Sequence, residues 1–533
     1  MATHVDLTTL IHPSLSVSDE VPEFPEELVQ SGSAKVSALD RHTRTFLEMT
    51  RSAIKDWNTK VPGARDIVAP SRSGILPTVS LPFGGLSLPS EDEDWPEQGI
   101  VRAVTLRALR SVLFPITDRD ERWSSREEAR AAFQEVLPIG ELLSPPNHHW
   151  EEMSSDAAMS RLAFAGLGAL RLLPLPGTDP EGATWVSDMA WMSSFAVRSG
   201  FERYGAIAYF NAEQRIVRIH WSHAHKDVRP GDPDWEHAKW AWKCTLMVGT
   251  TVADHLVAVH WLIGNYVTKA SRSYMTCDHP IRRLLKPFTW RTVTINYNAT
   301  FSLCPERGFV HRGSALTYES LTAAYQASVG LLRYMTTPQL IARKNAAHMG
   351  DDFPWATDAL ALYNVILAFV EDYVSRYFAG DALVRDPEVV AFWASVRSAT
   401  ATIGIPELSR DDLVGMLAQF IWCVTGLHEA VGAMLEYAID PTFVSTKIRP
   451  GVEMADVQAS MQCLAVVGLT GLRMPQLLND FSHVCLDEGG AQAFATFQTN
   501  LEALADRIEA ANLTRKYPCN TFNPRYLETG VSV

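Results

Sequence analysis

Two histidines five residues apart, His255 and His260, stand inside the apolar run Ala-Asp-His-Leu-Val-Ala-Val-His-Trp-Leu-Ile. Neutral imidazole is the commonest side-chain metal ligand, and a dry, nitrogen-rich pocket suits iron, manganese or zinc. On a regular α-helix, side chains five apart point about 140° away from each other, because there are 3.6 residues per turn. A single π-turn, with its i→i+5 hydrogen bond, brings them onto one face, and such bulges favour functional sites. An isolated pair of this kind is more often two hydrogen-bonded core histidines than a metal site, since short motifs match by chance. The flanking sequence shifts that balance.

The chain that must position them has 533 residues, 47% of them hydrophobic and 15 of them Trp, enough to bury a large core. A net charge of -14 argues against a nucleic-acid partner. Seven cysteines without regular spacing do not form a disulfide framework and fit reduced, buried thiols of a cytosolic protein. The N-terminus, Met-Ala-Thr-His-Val-Asp-Leu, has no basic region followed by an apolar one, so no secretory signal is evident and a cytoplasmic location is expected. Residues 413–439 are almost entirely apolar, yet they include Gln419, His428, Glu429 and Glu436 and lack flanking basic anchors. They read as a buried central helix. No transmembrane segment is expected, which leaves peripheral membrane contact open.

Residues 1–95 are rich in Pro, Ser and Gly, with short helical pieces such as 37–56, and read as an extension packed on a larger domain of residues 96–533. Helical patterns follow at 99–113 and 125–135. The clearest β signal is 204–220, where Gly205-Ala-Ile-Ala-Tyr-Phe210 and Arg215-Ile-Val-Arg-Ile-His220 flank an Asn-Ala-Glu-Gln turn. Beyond Asp234 the pattern is helical at 234–270, 316–333, 354–379, 386–399, 410–439, 452–480 and 489–511. The expected fold is mainly α, one large helical domain with a small β-hairpin element.

Reading outward from the two histidines, Trp235-Glu-His-Ala-Lys239 is similar to a W-x-x-A-K element, and His279-Pro-Ile-Arg-Arg-Leu-Leu-Lys-Pro287 to H-P-I-x-K-L-L-x-P. Thr294-Ile-Asn296 through Ala299 is similar to N-I-N-x-x-A, and Asp352-Phe-Pro-Trp-Ala-Thr-Asp358-Ala-Leu360 to D-Y-P-Y-x-x-D-G-L. Val370-Glu-Asp-Tyr373, Asp386-Pro-Glu with Trp393, Ile421-Trp-Cys-Val-Thr-Gly-Leu-His428 and Arg449-Pro450 continue the register. Each motif is weak alone, but their order and near-gapless spacing are specific. Over roughly residues 200–533 the chain resembles the lipoxygenase family, and the fold expected is the family's helical catalytic domain.

The resemblance implies a non-haem metal held by His255, His260, His428 and the carboxylate of Val533, because the family's terminal carboxylate is a ligand and Gly530-Val-Ser-Val533 is similar to its S-I-x-I ending. Iron is the usual cofactor, and valine also ends manganese-using members, so either metal fits. The implied reaction is insertion of O2 into a polyunsaturated fatty acid to give a lipid hydroperoxide. Leu303 and Val310 fall where the family places aliphatic residues beside the reacting carbon, and Ala299 where Ala accompanies S products and Gly R products. Arg449 is the candidate anchor for the substrate carboxylate.

The pattern is broken at Gly432, where family members place His, Asn or Ser as a further ligand. Water, or Asn265, is then the alternative donor. Thr250 and Asn298 also depart from residues found in some members. Two other readings therefore stand beside the first: a metalloenzyme of altered chemistry (a hydroperoxide isomerase, or an oxygenase of another substrate) and a metal-free lipid-binding relative. His220, His223 and His225, and the pair His148-His149, read as solvated loop residues.

Overall fold

The structure, a computed structural model, describes residues 63–92 except 82 and 85, then 120, 122–136, 153–438, 440–457, 459–460 and 474–531. The helices expected at 37–56 and 99–113, the pair His148-His149, much of the helix expected at 452–480, and Val533 lie outside the described residues.

A two-stranded antiparallel pair, β1 (Thr78–Ser80) and β2 (Ser87–Pro89), comes before a five-stranded antiparallel sheet in the order β3 (Leu172–Pro174), β4 (Ala183–Asp188), β5 (Ala206–Asn211), β6 (Ile216–Trp221), β7 (Lys226–Val228). The hairpin expected over 204–220 is its β5–β6 pair, with Ala206 opposite Trp221. The other three strands have no clear sequence signal. β3 and β7 are three residues long, and the inward face of β4 includes the fully buried Ser187, which blurs the apolar alternation.

Helices α1 (Arg126–Val136) and α2 (Asp156–Ala165) lead towards the sheet, and α3 (Trp235–Tyr274) runs from it through the middle of the molecule. The start of α3 is fixed by two side chains one turn apart. Trp235 Nε1 donates to Asp156 Oδ1 (2.9 Å), and Lys239 Nζ donates to the same oxygen (2.9 Å) and to the Ser154 carbonyl (2.7 Å). That shared anchor gives the Trp-x-x-Ala-Lys spacing a physical cause, with Ala238 fully buried between them.

After α3 come α4 (Pro280–Leu285), α5 (Thr292–Ser302), α6 (Tyr318–Leu331), α7 (Pro354–Tyr377), α8 (Pro387–Ala399), α9 (Arg410–Ala438) and α10 (Glu488–Asn512). Pro280 and Pro387 sit at helix starts, where a missing N–H costs nothing. His279 and Asp386 cap those starts by accepting backbone N–H groups. α7 packs between α9 and α10. Phe369 of α7 stacks on Phe497 of α10 with ring centres 4.2 Å apart. α3 and α9 are each long and apolar enough to cross a membrane, but their most apolar windows are 89% and 83% buried inside the protein.

The helix expected to run to residue 480 is absent over 474–480. That stretch is a bridge followed by a turn, with Leu477 N–H donating to the Leu527 carbonyl and Thr529 N–H to the Pro475 carbonyl. Pro475 has no N–H to give a helix, and the chain near its end supplies the partner instead. Residues 63–92 lie against the helical domain. Phe83 packs on Trp261 and Tyr325 (5.4 and 4.9 Å between ring centres), and Asp92 pairs with Arg272 at 2.5 Å, both buried.

Candidate metal centre

Across Thr250–Gly264, α3 changes to π geometry, and the Asn265 N–H bonds to the His260 carbonyl five residues back. The wider turn places His255 and His260 on one face. α9 does the same at Cys423–Leu427, where the His428 N–H reaches the Cys423 carbonyl. The three imidazoles meet as a result. Nε2 of His260 is 3.1 Å from Nε2 of His255 and 3.1 Å from Nε2 of His428, and the last two are 3.2 Å apart. His255 and His260 are buried, and His428 is slightly less enclosed.

Burial, reinforced by the neighbouring imidazoles, holds His255 and His428 well below the usual histidine range, so both rings are neutral near pH 7. Asn296 of α5 settles the orientation of the third. Its Oδ1 lies 2.9 Å from His260 Nδ1, and its amide donates to the His260 carbonyl at 2.8 Å. The His260 proton belongs on Nδ1, which leaves the Nε2 lone pair directed at the other two rings. Imidazole nitrogens crowded to this distance are a donor set that fits a cation. An ion about 2.1 Å from each nitrogen would see them at angles of about 95–99°, close to one face of an octahedron and short of the tetrahedral angle. Among the described residues this is the only group of His, Cys, Asp and Glu side chains so arranged.

The residue before His255 is also anchored. Asp254 accepts from Arg171 Nε (2.9 Å) and Nη2 (2.5 Å), and Lys344 donates to the carbonyls of Ala169, Leu170 and Leu172 on both sides of that arginine. Sequence reasoning passed over this network. Its one signal is an aspartate in the middle of an apolar run, which needs a buried partner.

Asn296, Ala299 and Leu303 follow one another at helical spacings of three and four, so they share a face of α5 with the group that holds His260. Ala299 is buried, and Val310 joins the stripe through its N–H to the Leu303 carbonyl (3.4 Å). Both Leu303 and Val310 are half-buried against the core. Arg449 is buried elsewhere, its guanidinium 4.3 Å over the Phe201 ring and its Nε 2.5 Å from Asp456, with Asp120 at 3.8 Å. Its charge is already matched by carboxylates of the chain itself. Asn265 donates its amide to the Ser87 carbonyl (3.1 Å). His220 pairs with Asp227 (2.8 Å), and His223 accepts the Arg203 N–H. Val533 lies outside the described residues, but Val531 is fully buried, and its methyl group is 3.3 Å from where a side chain on Gly264 would begin.

The lipoxygenase family model matches residues 231–439, the stretch that contributes all three imidazoles. Among curated relatives, the chloroplastic lipoxygenase 2 of Tanacetum cinerariifolium is 27% identical over 240 residues, 38% of this chain and 26% of that protein. The seed linoleate 9S-lipoxygenase-3 of Pisum sativum is 28% identical over 204 residues, 33% of this chain and 23% of that protein. The matches thus span about a quarter of the relatives' length. Among solved structures, a coral 8R-lipoxygenase superposes with a TM-score of 0.70 at 14% identity, covering 91% of this chain and 81% of that one. A calcium-dependent 11R-lipoxygenase gives a TM-score of 0.71 at 17% identity, covering 84% and 77%. The fold is that of a lipoxygenase.

Proposed function

We propose that this chain is a non-haem metal dioxygenase that inserts O2 into a polyunsaturated fatty acid, with His255, His260, His428 and the carboxylate of Val533 holding iron or manganese. The observation that carries the reading is the convergence of three imidazole nitrogens, one of them fixed as an acceptor by Asn296, on a single point. The burial of Val531 beside the end of the π-helical segment supports a tail that enters the core instead of fraying.

When bound, the metal supplies the one-electron step that takes a hydrogen atom from the methylene between two cis double bonds. The chain supplies placement. Asn296 holds His260 in the tautomer that presents Nε2, while the Arg171–Asp254 pair fixes the backbone entering His255. Leu303 and Val310 offer an apolar wall on the helix face that faces His260, suited to the pentadiene of the substrate. Ala299, one turn from Asn296, limits the space on that wall and so the side from which oxygen adds.

Oxygen uptake with linoleate and arachidonate, with chiral analysis of the products, tests the proposal. Hydroperoxide formation that tracks metal content is the expected result. Metal-dependent turnover of a hydroperoxide without oxygen uptake would favour the isomerase reading. Purified protein that binds fatty acid but no metal would leave only the lipid-binding one.

A further inference from the structure

Gly432 lies four residues after His428, on the same face of α9 and at the metal centre. Its φ is not in the left-handed region, so the backbone there does not call for glycine. The space does. A Cβ at this position would lie 2.9 Å from Nε2 of His255, 3.2 Å from Cε1 and 3.3 Å from Cδ2. Real Cβ atoms essentially never approach a neighbour that closely, and the atom met is one of the three nitrogens of the triangle. His255 has little freedom to retreat, because it is buried in the π segment and its preceding residue is clamped by Arg171.

Resting on the metal reading above, we propose that Gly432 is a positioning residue: the absence of a side chain at 432 is what lets His255 bring Nε2 into register with His260 and His428. A donor side chain at 432 would then displace a ligand instead of adding one. Gly432→Ser or Gly432→Asn, which restore an oxygen or nitrogen donor one turn after His428, would weaken the centre.

The experiment is titration of the full-length, metal-free protein with Co(II), read by its d–d absorption, for wild type, Gly432→Ala and Gly432→Asn. Tm of the metal-free forms is measured in parallel. We expect Gly432→Ala to weaken Co(II) binding by about 10–100-fold, the range seen when groups that orient a ligand are removed, and to change the absorption bands. The metal-free Tm should fall as well, because the added methyl crowds the buried His255 ring whether or not metal is bound. Gly432→Asn should bind no more tightly than Gly432→Ala. In a His255→Ala background, where the added methyl meets no ring, Gly432→Ala should leave the residual Co(II) affinity unchanged, and should restore folding if the single variant fails to fold. Equal affinity and unchanged bands in wild type and Gly432→Ala, or tighter binding by Gly432→Asn, would overturn the inference alone. A wild-type protein that binds no Co(II) would overturn the metal reading beneath it.

Discussion

Replacing Asn296 by alanine removes two hydrogen bonds from His260 at once, the one that fixes its tautomer and the one to its carbonyl. The two losses have separable sizes. Removing the orienting partner of a ligand histidine typically costs about 10–100-fold in metal affinity, or about 1.4–2.7 kcal/mol. The buried His260 carbonyl keeps one partner, the N–H of Asn265, so the folding cost should sit near the lower end of the about 1–3 kcal/mol charged for an unsatisfied buried group. Asn296→Asp separates the terms. Its carboxylate still accepts from Nδ1–H but cannot donate to the carbonyl, so metal affinity should hold while stability falls by about 1 kcal/mol. The assays are competition with a calibrated chelator for metal affinity and denaturant unfolding of the metal-free protein for stability. Wild-type affinity in Asn296→Ala, or equal affinities in the Ala and Asp variants, would refute the claim that Asn296 sets the tautomer.

Three further outcomes are expected. Ala299→Gly should move the product towards the R hydroperoxide on chiral chromatography at a folding cost of about 1 kcal/mol; unchanged chirality at normal turnover would remove Ala299 from oxygen placement. Residues appended after Val533 should lower metal content and oxygen uptake, whereas an N-terminal tag should not; full metal occupancy in the C-terminally extended protein would exclude the Val533 carboxylate as a donor. His237 is buried between Glu202 (3.1 Å) and Glu453 (3.0 Å). Burial opposes its charge, but the two carboxylates prevail and raise its pKa to about 9. Because the folded value lies above the unfolded one, the stabilisation is complete below about pH 6.5 and is lost as pH rises through 9, with a ceiling of about 3 kcal/mol. His237→Gln should therefore flatten the fall in Tm between pH 6.5 and 9, and an unaltered pH profile would show that the pair of carboxylates does not act through this imidazole.

The long helices were legible because each buries a broad apolar stripe, as α7 does between α9 and α10. The histidine spacing was legible too, since five residues demand a π-turn before the rings can meet, although the structure has a π segment of 15 residues, Thr250–Gly264, in place of the single turn expected. Short strands such as β3 and β7 could not be read, because three residues carry no periodicity. The helix expected over 474–480 failed for a different reason: the partner of that stretch, Leu527–Thr529, is remote in sequence, and no local pattern announces the pairing. Asn296 was visible as part of a motif, but its bond to His260 was not. Arg171 and Lys344 left no mark at all, because their roles depend on which carbonyls and carboxylate the fold brings within reach.

The pairing of Pro475 and Leu477 with residues 527–529, and the packing of Val531 beside Gly264, make the metal centre a late event in the life of the chain. His255 and His428 are themselves 173 positions apart. Contacts between distant segments slow folding, since loop closure must precede the reward for it. A nascent chain that has already made α3 must keep that helix's apolar surface covered by something else until residues 474–531 emerge and dock. During that interval the exposed surface is open to chaperones and to other copies of the chain. On the reading proposed above, a metal would be held only once residues 474–531 have closed over α3. A chain cut short before Leu527 is then expected to aggregate, not merely to lose activity.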